Sequence, residues 1–247
     1  MSGFAVRLRC EPDEEEALSA SLWEMGTTGI LDEPGGLRAF FNELPDLTPF
    51  ARFGPQIETL EDVDWEQRTR DSFPALAIGK RFFLVPPWSD DAVPEGRIRL
   101  VVTPGMACGT GWHPCTQMCI EALEVFLRPG DRVLDVGVGS GILSQTALAL
   151  GASLVVGCDV DEDSVAIAQR SVDDVFVGSV DAVREGAFEL AIANISAEIC
   201  EDLLADLRRV ARVLILSGFE QWPDAPAAIE TFNKDGWRCL VVEAGGF

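Results

Sequence analysis

Apolar and polar positions change rhythm along this chain. From Phe4 to Cys10 (FAVRLRC) they alternate with a period of two, the spacing of a half-buried strand. Residues 13–26 (DEEEALSASLWEMG) read as a helix, with carboxylates in the first turn and Gly26 at the end. TTGILDE and GLRAFFNEL flank a PGG turn and read as two short strands, which completes a small β-α-β-β unit. Residues 45–57 hold three prolines and a glycine and read as loop, and 60–73 (LEDVDWEQRTRDSF) reads as a linking helix.

Beyond residue 78 the segments lengthen. KRFFLVPPW (80–88) and RIRLVVTPG (97–105) predict strands, and HPCTQMCIEALEVFL (113–127) predicts a helix with Pro114 in its first turn. A regular alternation follows: strand, glycine turn and helix over 132–152, strand over 154–160, helix over 161–172. It continues with strand 188–195, helix 197–210, strand 212–218, helix 223–236 and strand 237–244. These strands are apolar on both faces. That predicts an α/β fold: a parallel sheet with helices on both faces, beside a small α+β N-terminal domain. The expected boundaries are 1–58 for the small domain, 59–77 for a linker helix and 78–247 for the large domain.

Composition narrows the class. Hydrophobic residues make up 47% and charged residues 24%, as in ordinary globular proteins. No apolar run approaches the roughly 18 residues of a membrane span. Charge arrives too early for a signal peptide, so the expected compartment is the cytoplasm. The seven cysteines contain no CxxC pair and the chain has one histidine, so no metal site is expected and the thiols should be reduced and mostly buried. Net charge is −22, and residues 1–66 alone carry 4 basic and 15 acidic side chains. Such a surface disfavours nucleic acid and favours a basic protein partner. Solubility alone accounts for it equally well.

Candidate chemistry is concentrated in four stretches. DVGVGSG places Asp135, Gly137, Gly139 and Gly141 between a strand and a helix, where glycines let backbone approach a ligand at the carboxyl end of a sheet. A dinucleotide motif needs a third glycine or alanine where Ile142 or Ser144 stands, which disfavours a dinucleotide oxidoreductase. The D-x-G-x-G-x-G spacing, followed by an acid ending the next strand, resembles S-adenosylmethionine (SAM) methyltransferases. Asp159 is that acid, suited to the ribose hydroxyls; its competing role is a helix cap, for which Asp161 and Asp163 stand closer. Asn194, in ANISAEI, ends a strand at the crevice and could hold a substrate nitrogen through its carbonyl oxygen, or cap helix 197–210. The fourth stretch, GMACGTGWHPCTQ (105–117), holds the only histidine, His113, with Thr110 and Thr116.

PGMACGTGWHPCT, LDVGVGSGIL, GCDVDEDSV and ANISAEI, in this order, resemble the methyltransferase family of ribosomal large-subunit protein eleven, PrmA. The likeness runs over residues 56 to 244, and its GTG-x-H loop is specific to this family. It implies a Rossmann-like class I methyltransferase sheet that binds SAM, and a small N-terminal domain that recognises a basic ribosomal large-subunit protein. The implied reaction is methylation of lysine side chains and the N-terminal α-amine. By motif position, Thr116, Gly137, Asp159 and Asn194 meet the cofactor or its methyl end, with Asp135, Gly139, Gly141 and Thr110 around it. Asn194 and Thr116 would serve the transfer, and His113 would order the loop or act as a base.

The chain departs from the family pattern at Cys108, where Phe is usual, and at Cys115, where Thr is usual. Its N-terminal domain is expected to be short, its crossover after helix 161–172 tight, and its sheet one strand short with an unpaired edge. A related protein-lysine methyltransferase with another substrate, or a non-catalytic SAM-binding module, remain the alternative readings.

Overall fold

The computed structural model describes residues 3–11, 14–60, 72–104 and 109–245. They fall into two units, within residues 1–71 and 72–247.

In the first unit, β1 (Gly3–Arg9), α1 (Glu15–Glu24), β2 (Gly29–Glu33) and β3 (Gly36–Phe41) follow the expected order. The stretch read as loop is more ordered than expected. Thr48–Phe53 forms a 3-10 turn, and β4 (Gln56–Leu60) pairs antiparallel with β1, giving the sheet order β2-β3-β1-β4. Prolines hid this, but Phe50 and Phe53 are buried with Leu18, Leu22 and Leu37 beneath α1, and that burial holds the segment. The expected linker helix lies mostly outside the described residues. Its two ends are strands: Thr59 and Leu60 belong to β4, and β5 (Leu76–Ile78) starts the second unit.

The second unit opens with a three-stranded sheet, β5-β6-β7, in which β6 (Phe82–Val85) pairs antiparallel with β5 and parallel with β7 (Ile98–Val101). It is latched to α2 (Pro114–Phe126), where the Glu124 carboxylate accepts the N–H groups of Lys80 and Arg81, both at 2.8 Å.

The main sheet has seven strands in the order β10-β9-β8-β11-β12-β14-β13. These are β8 (Arg132–Val136), β9 (Leu154–Asp159), β10 (Val175–Val177), β11 (Phe188–Asn194), β12 (Ala211–Phe219), β13 (Glu230–Lys234) and β14 (Trp237–Glu243). The helices between them are α3 (Ile142–Ala149), α4 (Glu162–Ala168) and α5 (Ala197–Val210). The strand period of two divides the core. Val133, Leu190, Ile192, Ile215 and Val241 pack with α2 and α3, while Leu134, Ala191, Leu214, Leu216 and Val242 pack with α5. Helices therefore cover both faces.

Three expectations are corrected here. Helix α4 stops at Ala168, because Arg170 and Ser171 bond back only three residues, so a turn separates it from β10. Segment 223–236 is not a helix. Residues 230–234 form β13, and Asp235 and Gly236, with φ of 50° and 86°, make the two-residue turn of a hairpin with β14. Pro226 disfavours helical backbone at Ala225, the residue before it, which blocks a helix continuing from Pro223. The sheet consequently has its seventh strand, β14 is paired on both sides, and its two pairings are antiparallel rather than parallel.

The central pair β8–β11 is clipped at its start. The Glu189 carboxylate accepts the Arg132 backbone N–H at 2.7 Å and lies 2.8 Å from its guanidinium, which holds Glu189 well below the ordinary carboxylate range, at about 2. This pairing fixes the register that brings Val136 and Ala193 side by side at the other end. A depressed acid contributes stability that is complete above its unfolded pKa, near 4.3, and lost as the pH falls through about 2. Glu189→Gln should therefore melt at a lower temperature than the parent chain at pH 7, and the gap should close in calorimetric scans between pH 4.5 and pH 2.

Candidate active site

The carboxyl ends of β8, β9, β11 and β12 share one edge of the sheet, and the sequence-predicted residues gather there. After β8 the backbone turns through Gly137, Gly139 and Gly141, with φ of 74°, 51° and 77°. These values lie in the left-handed region that glycine adopts without strain. The N–H groups of Gly137 and Val138 both donate to the Cys158 carbonyl, at 2.8 and 3.0 Å, which ties the turn to β9. A Cβ on Gly137 would stand 2.7 Å from Ile195 Cγ2, so the turn packs this closely on the end of β11 only with glycine.

Asp159 ends β9. Its Oδ2 accepts the Gly139 N–H and its Oδ1 the Asp161 N–H, each at 3.1 Å. The carboxylate is thus held across the mouth of the glycine turn, with lone pairs left to accept further hydroxyls. It is not the cap of α4. Asp161 is, accepting from the N–H groups of Asp163 and Ser164. Asp135 lies deeper, 1% exposed, with Oδ2 accepting from the Ser144 hydroxyl at 2.6 Å. Burial pushes its carboxyl up to about 7, against the hydrogen bond from Ser144. Its place is under the turn, bracing it against α3. Ser144 carried no motif signal in the sequence.

Asn194 ends β11, and its amide Nδ2 donates to Thr116 Oγ1 at 3.2 Å. Thr116 is 1% exposed in the first turn of α2, so residues 78 positions apart in sequence make one fixed pair. The cap of α5 is Ser196, not Asn194, which leaves the Asn194 carbonyl oxygen available to a ligand. Cys115 is buried, and its thiol lies against the Ser217 hydroxyl and the Gly218 N–H; burial pushes its pKa up. Gly218, unremarked in the sequence, has φ of 104°, and a Cβ there would stand 2.3 Å from the Ile195 carbonyl oxygen. Its signal was a glycine inside an apolar strand, which marks close backbone approach.

Of the loop before α2, residues 105–108, including Cys108, lie outside the described residues. From Gly109 onward it is docked on the glycine turn: the Ser140 hydroxyl donates to the Gly109 carbonyl at 2.6 Å. Gly111 fits between Leu84 and Ile142, where a Cβ would come within 2.7 Å of each. Thr110 sits between these two glycines. His113 caps α2, its Nδ1 accepting the Cys115 N–H at 3.3 Å, and its ring meets Trp237 edge to face at 4.6 Å. Both contacts order the loop. A separate cleft of about 360 Å3, between Arg128 and Arg212 at the opposite edge of the sheet, holds none of the predicted residues.

This arrangement can hold a nucleoside hydroxyl pair at Asp159, accept close backbone approach at the glycine turn, and present an amide carbonyl at Asn194. Comparisons with known proteins identify the family. Residues 37–242 match the family model "Ribosomal protein L11 methyltransferase (PrmA)". A relative of that name from Geobacter metallireducens is 38% identical over 211 residues, covering 77% of this chain and 70% of its own. One from Deinococcus radiodurans is 35% identical over 247 residues, covering 93% and 89%. Among solved structures, a ribosomal protein L11 methylase from Lactobacillus delbrueckii subsp. bulgaricus superposes with a TM-score of 0.60 at 27% identity, over 68% of this chain and 96% of that one.

Two expected outcomes follow from the geometry. Gly218→Ala meets backbone at 2.3 Å whereas Gly141→Ala meets Ala168 at 3.4 Å. Denaturant titration should give a loss of about 3 kcal/mol or more for the first and about 1 kcal/mol for the second. Asp135→Asn retains an acceptor for Ser144 and removes the buried ionisation. A raised acid contributes stability that is complete below its unfolded pKa, near 3.9, and lost as the pH rises through about 7. The parent chain should therefore lose stability relative to Asp135→Asn across that window in paired thermal melts.

Proposed function

The chain belongs to the ribosomal protein L11 methyltransferase (PrmA) family and is a SAM-dependent protein methyltransferase, and we propose that its acceptors are amines of that large-subunit protein, held at Asn194. The observation that carries the residue assignment is the joint placement of the glycine turn, Asp159 and the Asn194–Thr116 pair along one sheet edge. The residues fit SAM: Asp159 retains acceptor capacity toward a ribose, and Gly137, Gly139 and Gly141 carry no side chain of their own to keep a ligand from the backbone of the turn. When bound there, SAM supplies a methyl group on a sulfonium, already a good leaving group.

The protein's part is then mostly positioning. Asp159 fixes the ribose, the N–H groups around Gly139 line the turn, and Asp135 with Ser144 braces it from below. Thr116 holds the Asn194 amide so that its carbonyl oxygen faces the crevice. That oxygen would accept an N–H group of an incoming amine and orient it, whereas the Ile195 carbonyl is packed against Gly218 and accepts from Cys200. A free lysine amine has a pKa of about 10.4 and must be neutral to attack. Leaving water for a neutral acceptor favours that neutral form. His113, committed to capping α2 through Nδ1, serves as an orienting residue for the loop.

The first unit is the docking element in this reading. Its Glu11, Glu14 and Glu15 lie together beside Arg9 and Arg52, and the strongly acidic segment 1–66 would attract a basic ribosomal protein by long-range charge. The lysine and N-terminal α-amines are the proposed acceptors, and the cytoplasm is the proposed compartment. No helix among the described residues is long and apolar enough to cross a membrane.

Radiolabelled SAM, purified large-subunit protein eleven and a parallel calorimetric titration test this directly. Label should appear on the ribosomal protein. Asp159→Ala should weaken SAM binding by roughly 100-fold, the loss of two hydrogen bonds to a charged acceptor. Asn194→Ala should keep SAM affinity within about threefold while turnover falls by roughly 100-fold. Unlabelled substrate with intact SAM binding would move the assignment to another protein substrate.

A further inference from the structure

The 109–113 loop has one anchor that comes from far along the chain. Gln117, 6% exposed one turn into α2, donates from Nε2 to the Trp112 carbonyl at 2.7 Å. Its Oε1 accepts from the Lys234 ammonium. Lys234 is the last residue of β13, and in the hairpin ladder it pairs with Trp237, the residue whose ring meets His113. The tip of the β13–β14 hairpin therefore grips the start of α2 at two points, one polar and one aromatic. On its other side Trp112 is tied down by its indole N–H to the Pro74 carbonyl at 2.7 Å and by an edge-to-face contact with Phe73.

The chemistry of an amide makes this arrangement directional. A buried glutamine side chain can sit either way round, because its oxygen and nitrogen ends have the same shape and opposite hydrogen-bonding character. An ammonium has donors only. With Lys234 on one side, the oxygen end must face it, so the NH2 end must face Trp112. The Trp112 carbonyl precedes the α2 cap and lies outside the helical ladder, so Gln117 is the group that satisfies it.

We propose that Gln117, fixed in one amide orientation by Lys234, is a positioning residue that sets where the 109–113 loop stands over the methionine end of bound SAM, with the β13–β14 hairpin as its anchor. This rests on the proposed SAM site and adds that the loop covers it, which the docking of Gly109 on the glycine turn through Ser140 supports. Gln117 touches neither cofactor nor acceptor in it; it acts through the Trp112 carbonyl.

Four variants separate the parts: Gln117→Leu, Gln117→Glu, Lys234→Met and Lys234→Arg. The first readout is amide hydrogen exchange over 109–113 in the protein without SAM. The second is the calorimetric Kd for SAM, with KM and kcat measured at saturating protein substrate. Gln117→Leu should speed exchange in that segment and weaken SAM binding by about tenfold each, leaving kcat at saturating SAM within about twofold. Gln117→Glu keeps an acceptor for Lys234 but cannot donate to Trp112, and should match Gln117→Leu. Lys234→Met should shift both readouts in the same direction and add little in the double variant with Gln117→Leu, since one interaction is lost either way. Lys234→Arg should restore the parent values.

Unchanged loop exchange in Gln117→Leu and Lys234→Met overturns the proposal. So does faster exchange spread over the whole second unit in step with a lower melting temperature, which marks a general structural role. Faster loop exchange with unaltered SAM affinity also overturns it, and leaves the site assignment standing. If the parent protein binds no SAM in the calorimeter, the site assignment itself fails and the proposal falls with it, whereas the loop-exchange readout, taken without SAM, still reports the Gln117 anchor separately.

Discussion

One residue sits at the crossing of everything the site needs. Ile195 follows Asn194 at the end of β11, and two neighbouring chain segments give way to it. Gly137 leaves room for its side chain, and Gly218 leaves room for its carbonyl. Both glycines have positive φ, so each is also the residue that its own backbone bend requires. The turn after β8 and the bend in β12 can close on β11 only together. With that closure, Asn194 stands beside Ser217 in the ladder and within hydrogen-bonding distance of Thr116. Interiors are packed too densely for a methyl group to be absorbed at such a point without moving one of the three strands.

The same economy governs the polar groups. Asp135 is buried where an ionised carboxylate is costly, and Ser144 meets it. Asp159, at the rim, is held by backbone N–H groups rather than by a cation. The six described cysteines are buried and free, and those whose pKa is moved are pushed upward, so their role in this chain is to fill space. Cys115 in particular, where the resemblance led to an expected Thr, faces the Ser217 hydroxyl and the Gly218 N–H.

Much of this was legible in residue order alone. The acid-and-glycine spacing after β8, the acid closing β9 and the ANISAEI corner each fell at a strand end, because in a parallel sheet those ends converge whatever the intervening sequence. What escaped the reading has physical causes. Segment 223–236 looked helical by composition, yet Asp235–Gly236 was a hairpin turn in plain view, and Pro226 disfavoured helix at the residue before it. Residues 45–57 looked like loop because prolines outweighed Phe50 and Phe53, whose burial decides the matter. Gly218, Ser144, Gln117 and Lys234 were invisible for another reason: each acts on a residue distant in sequence, and no local pattern encodes its partner.

The order of the last strands has a consequence for how the molecule is made. β14 lies between β12 and β13, although β13 precedes it along the chain. As the polypeptide emerges, β13 has no neighbour to bond until β14 follows it, and β12 waits for the same strand. The strands that carry the glycine turn lie upstream of β14, and Leu240, Val241 and Val242 of β14 then complete the core on both faces. The grip of Lys234 and Trp237 on the start of α2 arrives with the hairpin. The cofactor end is thereby split along the chain: its floor is encoded upstream, and its loop is secured by the strand pair synthesised last.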